Sequence, residues 1–253
     1  MDPSPDKRFA RHLSLPEIGP TGQARLEAAS ALVVGLGGLG SPAALYLAAA
    51  GFGRLVLADF DVVEVSNLQR QIAHATDRVG QAKTASARAA CLALHPEARI
   101  ECVERGLDDE DLAELVPGHD AVLDCSDNFA TRAAVNAACV AAGVPLVTGA
   151  AIRFDGQLTV VDPRVPGAPC WRCLYGDLEG VDDGCVQAGI LGPVVGTIGC
   201  LQALEAIKLV CGIGDPAVVD GRGRLLLFDG LALGFDEVAY RRRADCPTCA
   251  GRP

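Results

Sequence analysis

The sequence predicts an α/β fold in which helices cover both faces of a doubly wound, mostly parallel β-sheet. Over residues 31–150, short apolar runs alternate with alanine-rich runs of helical length. Such alternation is typical of parallel strands joined by crossover helices. Half of the 253 residues are hydrophobic, which is enough for a large core. After residue 150 the alternation stops, and two apolar runs without a crossover helix between them predict an antiparallel extension.

Composition narrows the class of protein. The net charge of −10 argues against general nucleic-acid binding and against attachment to an anionic membrane. Residues 31–53 carry no charge, but six glycines and a proline interrupt them, which disfavours a transmembrane helix. The N-terminus has no apolar core typical of a signal peptide. Eleven cysteines without an export signal indicate a reducing compartment, so we expect a cytoplasmic protein.

The first strand and the turn after it form the central motif. Residues 31–34 are an apolar run, and a glycine-rich turn follows before Ser41-Pro42 begins a helix. Pro42 suits the first turn of a helix because it lacks a backbone N–H. Glycines let backbone N–H groups approach an anion at a helix start, which predicts a cradle for nucleotide phosphates. The glycines of this cradle are Gly35, Gly37, Gly38 and Gly40.

Asp59 ends the second apolar run, residues 53–59. It lies about 20 residues beyond the glycine turn, which is the spacing at which an acid binds ribose hydroxyls in dinucleotide-binding folds. The alternative is an ordinary turn aspartate at the end of a strand. Because the glycine motif precedes it, we predict the ribose role, in a Rossmann-like arrangement.

The remaining elements are assigned in order. We expect one domain, with an extended arm and a short helix over 1–30, a nucleotide-binding half over 31–150 and a second half over 151–253. The strands are predicted at 98–103, 121–124, 146–148, 157–161 and 224–228; the helices at 21–30, 84–94, 108–116, 129–142 and 196–211; and loops at 61–70 and 163–189. Gly35, Asp59 and Asp127 then fall at carboxyl ends of strands, so they should line one crevice.

Two cysteine pairs of matched spacing lie far apart in the chain. They are Cys170-Trp-Arg-Cys173 and Cys246-Pro-Thr-Cys249. Four thiolates at this spacing are typical of a closed, structural zinc site. The alternative is a pair of redox-active dithiols. Cys185 lies outside both pairs, and it is either a nucleophile on a glycine-flanked loop or a small residue without chemistry.

Taken together, the ordered motifs resemble the MoeB/ThiF/HesA family, the bacterial relatives of ubiquitin-activating enzymes. The resemblance extends from about Arg8 to Gly251. It rests on both cysteine pairs and on the segments Gly35–Gly40, Asp59-Phe-Asp61, Ser66-Asn-Leu-Gln-Arg70, Lys83 and Asp124-Cys-Ser-Asp-Asn128.

The resemblance implies an activity. Members of the family bind ATP and Mg²⁺ and adenylate the C-terminal glycine carboxylate of a ubiquitin-like sulfur carrier that ends in Gly-Gly. Pyrophosphate leaves, and a sulfur donor then converts the acyl-adenylate to a thiocarboxylate. Residues 151–253 are then the carrier-binding and zinc half. Because the sequence ends soon after Cys249, we expect sulfur from a separate cysteine desulfurase or rhodanese-like protein.

Residue roles follow by the same resemblance. Arg70 and Lys83 match the positions that bind the triphosphate, and Asp127 matches the essential acid that holds Mg²⁺. Arg11 matches an arginine that reaches into the partner subunit's nucleotide site, which implies a homodimer with shared active sites. Cys185 matches a position at which ThiF-like members bond covalently to their carrier. Further nucleotide contacts are implied for Asp59, Asp61, Asn67 and Asn128.

Members of the family differ in the carrier that they adenylate. Residues 79–83 and 149–157 are closer to MoeB, which serves molybdopterin synthase through a MoaD-like carrier. Residues 191–196 and 201–208 are equally similar to ThiF, which serves thiazole synthesis through a ThiS-like carrier. We predict the MoaD-like role, with the ThiS-like carrier, or service to both carriers, as the alternatives.

Other function classes share part of the pattern. A nicotinamide-dependent oxidoreductase would share the glycine turn and Asp59, but it does not explain Arg70, Lys83 and Asp127 together. A non-catalytic zinc scaffold that binds a carrier tail would explain the cysteine pairs alone. A tRNA-modifying relative is disfavoured by the acidic charge.

Overall fold

The computed structural model describes residues 5–176, 189–215 and 217–251. These residues form a nine-stranded sheet with the strand order β3-β2-β1-β4-β5-β6-β8-β7, and β9 pairs with β8. The strands are β1 Ser30–Val34, β2 Arg54–Ala58, β3 Arg99–Val103, β4 Ala121–Asp124, β5 Leu146–Ile152, β6 Asp155–Val161, β7 Val218–Val219, β8 Arg222–Asp229 and β9 Gly234–Arg241.

Strands β1 to β5 are parallel, and β6 to β9 pair antiparallel. The mostly parallel sheet and its antiparallel extension are therefore confirmed. Val34 lies opposite Ala58 of β2 and Asp124 of β4, so these three strands end at one level. The carboxyl ends of parallel strands form the edge at which doubly wound sheets bind ligands.

Helices cover both faces of the sheet. They are α1 Pro5–Arg8, α2 Ala10–Leu13, α3 Gly19–Ala28, α4 Gly40–Ala50, α5 Lys83–Leu94, α6 Asp109–Leu115, α7 Phe129–Ala142, α8 Trp171–Tyr175 and α9 Gly192–Cys211. Asp108 caps α6, as its carboxylate accepts the N–H of Asp111 at 2.8 Å. Among the described residues α9 is the one helix long and apolar enough to cross a membrane, and its apolar side chains join the core.

The strands alternate between two cores. Ala31 and Val33 of β1 pack into one core with α4, α5 and α9, whereas Leu32 and Val34 pack into the other with α6 and α7. Successive side chains of a strand point to opposite faces, so a fully buried strand contributes to both cores. The four paired cysteines belong to the second core.

Three expectations need correction. The arm before residue 19 is helical in α1 and α2 rather than extended, because buried Phe9 packs its ring against His12 and His95. The predicted loop 163–189 contains α8, whose Trp171 is buried. Strand β9 was not predicted, since most of its side chains are exposed and give no apolar run. Cys185 lies outside the described residues.

Candidate active site

The glycine turn between β1 and α4 is folded so tightly that side chains would not fit. Gly35 has φ +87°, and a Cβ atom there would lie 2.8 Å from the carbonyl oxygen of Cys125. A Cβ on Gly40 would lie 1.9 Å from the carbonyl oxygen of Gly35, and one on Gly38 2.6 Å from Val195. The turn is therefore packed against the end of β4 and the first turns of α9.

Several backbone N–H groups of the glycine turn are available to bind a ligand. Among the described residues, the N–H groups of Gly37, Gly38 and Leu39 have no acceptor. They precede the start of α4, where the partial positive charge of the helix adds to theirs. Unpaired N–H groups at a helix start form an anion site, so the predicted phosphate cradle fits this geometry.

Replacing Gly40 with alanine is expected to weaken ATP binding at least about tenfold, because the new Cβ must displace the Gly35 carbonyl and misalign the N–H donors. Equilibrium titration with ATP measures the change. The control is Gly106→Ala, since no atom lies within 4 Å of a Cβ at that position. Equal ATP affinity in the two variants would show that the turn does not hold phosphates.

Asp59 joins the end of β2 to the glycine turn. One carboxylate oxygen accepts the N–H of Leu36 at 2.7 Å, and the other accepts the N–H of Asp61 at 2.9 Å. Each oxygen of an ionised carboxylate can accept two hydrogen bonds, so both oxygens can still accept a ribose hydroxyl. Asp59 therefore orients the turn and keeps acceptor capacity for a ligand.

Lys83 is the first residue of α5 and points its ammonium group at the same edge. Its Nζ atom lies 2.7 Å from Oδ2 of Asp61, and its side chain is 7% exposed while that of Asp61 is 50% exposed. A lysine this buried needs an anionic partner. A phosphate arriving from the open side of the pair could share the ammonium with Asp61, because the ammonium has three donors.

The crossover segment, residues 60–82, carries two further predicted residues. Arg70 donates one guanidinium N–H to the carbonyl of Ser66 at 3.1 Å and keeps other donors available. Asn67 is buried, and its Oδ1 accepts the N–H of Glu64 at 3.1 Å. The start of α9 lies against this segment, because a Cβ on Gly192 would be 2.6 Å from the carbonyl of Gln69.

The end of β4 is held by a buried carboxylate. Asp124 accepts hydrogen bonds from the Oγ of Ser126 at 2.6 Å and from the Oγ1 of Thr148 at 2.8 Å. Next along the chain, Asp127 is exposed and makes no hydrogen bond or ion pair with another described residue. Asn128 caps α7 by accepting the N–H of Thr131 at 2.8 Å. The side-chain oxygen of Asn128 therefore caps α7, in addition to any contact that it makes with a nucleotide.

One predicted residue, Arg11, lies away from this crevice. Arg11 lies in α2, next to Phe9, whose ring packs at Gly51 beyond the far end of α4. Since α4 has 11 residues, its length of about 16 Å separates that end from the glycine turn. Arg11 therefore lies near the end of α4 that is opposite the crevice of its own chain. Cys185, as noted, is outside the described residues.

Sequence reasoning missed residues that support the crevice from behind. His74 and Gln71 are buried beside the glycine turn, and Arg132 donates to the carbonyl of Ser126 at 2.6 Å. The partners of His74 are 12 and 38 residues away in sequence. No local pattern marks such a residue, because its role depends on contacts that only the fold creates.

The four paired cysteines come together in the second core. Their sulfurs lie within 4.8 Å of one another, with Cys170–Cys246 at 3.6 Å and Cys173–Cys249 at 3.4 Å. Tetrahedral zinc with bonds of about 2.3 Å would place its sulfurs about 3.8 Å apart, so the set fits zinc. The hydrogen bond from the Cys170 thiol is the largest cause that lowers the pKa of Cys173, and the same contact raises the pKa of Cys170, so this pair favours one thiolate. The remaining thiols must release their protons when a metal binds.

Comparison with known proteins gives consistent matches. The model of the ThiF family matches residues 9–248. The SAMP-activating enzyme E1 of Haloferax volcanii is 45% identical over 98% of this chain and 90% of its own length. The sulfur carrier protein ThiS adenylyltransferase of Escherichia coli is 46% identical over 96% of this chain and 95% of its own.

A third relative is longer. The adenylyltransferase and sulfurtransferase MOCS3 of Drosophila yakuba is 48% identical over 97% of this chain, which spans about half of that protein, 54%. Among solved structures, E. coli MccB with MccA-N7isoASN superposes with a TM-score of 0.84 at 22% identity, over 99% of this chain and 76% of that one. At this identity the superposition supports the fold alone.

Proposed function

Because this chain belongs to the ThiF family, we propose that it uses ATP to adenylate the C-terminal glycine carboxylate of a ubiquitin-like sulfur carrier. One observation supports this most directly: the unpaired N–H groups of the glycine turn, Lys83 and Asp127 lie just after strand ends or at a helix start at one sheet edge. Arg70 lies in the crossover segment, against the start of α9. A hydride-transferring enzyme would need the turn but would not need these three charged residues.

The crevice residues suit a reaction in which one anion, the carrier carboxylate, attacks another anion, ATP. The carrier carboxylate attacks the α-phosphorus of ATP, the bond from that phosphorus to the bridging oxygen breaks, and pyrophosphate leaves. The turn N–H groups hold the phosphates, while Lys83 and Arg70 offset the charge that grows on the leaving pyrophosphate. Asp59 holds the ribose and so fixes the α-phosphorus relative to the carboxylate.

Asp127 would hold Mg²⁺ at the phosphates. Its carboxylate is exposed and unpaired among the described residues, and magnesium sites in nucleotide enzymes use one or two carboxylates together with phosphate oxygens. When bound, the ion supplies positive charge to the phosphate oxygens. Asp61 and Asn128 complete the proposed polar lining, although each already has a partner inside the chain.

An apolar patch beside the crevice is proposed to receive the carrier. It comprises Phe154, Leu191, Leu231, Leu233 and Phe235, all exposed. The β8–β9 turn is tied to the crevice through Gly230, whose N–H donates to the Phe154 carbonyl at 2.8 Å and whose Cβ position lies 3.4 Å from Val194 of α9. A carrier seated there could extend its Gly-Gly end toward the glycine turn.

We infer a MoaD-like carrier, serving molybdenum cofactor biosynthesis, from the MoeB-like residues 79–83 and 149–157. The alternative is a ThiS-like carrier for thiamine thiazole synthesis. In either case the sulfur donor, a cysteine desulfurase or a rhodanese-like protein, stays a prediction, as does any covalent role of Cys185.

ATP–pyrophosphate exchange with magnesium tests the proposal. It is run with a MoaD-like carrier, with a ThiS-like carrier, with each carrier lacking its last glycine, and with none. Exchange that requires an intact Gly-Gly end is expected, and the preferred carrier identifies the pathway. Tight NADH binding without any response to ATP and magnesium would instead favour the oxidoreductase.

We further propose a homodimer in which Arg11 completes the partner's site. Arg11 lies about one length of α4 from the glycine turn of its own chain. Beside that turn, the crossover segment exposes large apolar side chains, and their burial against a second copy would be favourable. These side chains are Phe60, Val62, Val65, Ile72 and Val79.

Complementation between two inactive variants tests the shared site. Chains with Arg11→Ala and chains with Lys83→Ala are expected to be nearly inactive alone. After mixing and subunit exchange, half of the dimers are mixed, and one site in each has both residues. Exchange activity should therefore return to about a quarter of the wild-type value. If Arg11 acted within its own chain, no mixed dimer would contain a complete site and activity would not return.

A further inference from the structure

His74 is a buried titratable residue that the proposed reaction does not use. Its Nε2 lies 3.0 Å from the carbonyl oxygen of Leu36, and its Nδ1 lies 3.0 Å from the Oγ of Ser86. A carbonyl can only accept, so Nε2 carries the proton toward Leu36. In the neutral ring Nδ1 then accepts from the hydroxyl of Ser86.

The surroundings keep the ring neutral. Burial is the largest cause that lowers the pKa of His74, and the positive charges of Lys83 and Arg78 lower it further. The backbone carbonyl of Leu36 and the carboxylate of Asp59 act in the opposite direction and do not offset burial. A neutral ring has one donor and one acceptor, which matches the two partners that it has here.

The contact with Leu36 fixes the orientation of the glycine turn. Leu36 is fully buried and its N–H is held by Asp59. Its carbonyl accepts from Nε2 of His74 at 3.0 Å and, at the longer distance of 3.3 Å, from the Oγ of Ser41. In a planar trans peptide, the carbonyl of one residue and the N–H of the next point in opposite directions. By holding the Leu36 carbonyl inward, His74 turns the N–H of Gly37 outward, where it has no protein acceptor among the described residues.

The contact with Ser86 joins the turn to a second phosphate-binding element. Ser86 lies one turn after Lys83 in α5, so the imidazole connects the helix that carries Lys83 to the peptide that presents the Gly37 N–H. Arg78 supports the same junction, because its guanidinium donates to the carbonyl of Ser86 at 2.8 Å.

We propose that His74 is a positioning residue for ATP: as a neutral imidazole between Leu36 and Ser86, it aims the Gly37 N–H at the phosphates and holds Lys83 in register with it. This proposal rests on the adenylation proposed above, and it is tested by measuring ATP binding itself. The ring is buried, and it acts through its contacts with the Leu36 carbonyl and Ser86.

The test compares His74→Leu, His74→Gln and Ser86→Ala by ATP titration, by KM for ATP and kcat in exchange, and by thermal unfolding. His74→Leu removes both hydrogen bonds, and we expect ATP affinity to fall and KM for ATP to rise about tenfold or more. His74→Gln places an amide donor near the Nε2 position, so affinity should return to within about threefold of wild type. Ser86→Ala should give an intermediate loss.

His119→Leu is the matched control. His119 is buried to the same degree as His74, but it lies just before β4, at the opposite end of the sheet. If the role of His74 were only structural, both leucine variants would lose stability while the folded protein kept its normal ATP affinity. Wild-type ATP affinity in folded His74→Leu, or equal losses in His74→Gln and His74→Leu, would overturn the proposal.

His74→Gln keeps a polar side chain at position 74, and Ser86→Ala keeps the imidazole. These two variants therefore keep the test valid if His74→Leu does not fold. Failure of the adenylation proposal looks different. In that case the wild-type protein would bind ATP but show no carrier-dependent exchange, and the titrations would still decide the role of His74.

Discussion

Lys83→Ala is expected to lower carrier-dependent ATP–pyrophosphate exchange by at least about a hundredfold, the usual effect of removing one preorganised charge that stabilises a transition state. The ammonium is buried at the start of α5 and has only one described anionic partner, Asp61, 2.7 Å away. It is therefore held at the crevice before ATP arrives. We expect a larger loss in kcat than in ATP affinity, because charge accumulates on the leaving pyrophosphate only as the bond breaks.

The control for this variant is Lys208→Ala. Lys208 also pairs with a carboxylate, Glu205 at 2.6 Å, but it lies near the end of α9, away from the crevice. Its loss should leave exchange within about twofold, since partly exposed ion pairs contribute little. Arg70→Ala and Asp127→Ala should reproduce the loss seen with Lys83→Ala. Near-normal rates in all three would contradict the assignment of the crevice as the adenylation site.

Loss of the cysteine cluster is expected to have the largest effect on stability. Cys246→Ser should release the bound zinc and lower the Tm by at least about 10 °C. We base this on a loss of about 4 kcal/mol or more, as is typical when a metal site is destroyed, and on about 2–4 °C per kcal/mol for a chain of this size. Metal content by mass spectrometry and thermal unfolding measure the two effects.

The physical reason is that the cluster joins distant parts of the chain. Cys170 directly precedes α8 and Cys173 lies within it, whereas Cys246 and Cys249 follow β9, 76 residues later. A metal that holds both pairs closes this long loop, and its binding free energy becomes folding free energy. Cys102→Ser is the matched control, because Cys102 is half-buried on β3 and is not part of the cluster. Equal metal content and equal Tm in the two variants would contradict the zinc assignment.

The sequence determined the parallel half of the fold because its elements are short and local. The apolar runs at residues 31–34, 55–58 and 121–123 belong to buried strands, which appear as continuous hydrophobic segments. The turn residues after them mark the carboxyl edge. A shared crevice for Gly35, Asp59 and Asp127 could therefore be predicted, since the carboxyl ends of neighbouring parallel strands meet at one edge. Lys83, at the start of α5, was predicted only by the family resemblance.

The cysteine spacing likewise predicted a four-thiolate cluster before any coordinates. Two matched pairs, each with two intervening residues, are typical of a four-thiolate zinc site. The sulfurs are brought within 4.8 Å of one another, as a shared metal requires. The helices of the arm at residues 5–13 were not predicted, because they depend in part on Phe9 packing against His95, which is 86 residues away in the chain.

Tertiary structure alone decided which side chains pack behind the glycine turn and hold it in place. His74 meets Leu36 from 38 residues away, and it also meets Ser86. It likewise decided that Arg11 lies at the far end of α4, away from the crevice of its own chain. The physical reason is that strands, helices and turns follow from local hydrogen bonding and periodicity, which a sequence carries. Contacts between residues far apart in the chain follow from how those elements pack, and no local pattern records them.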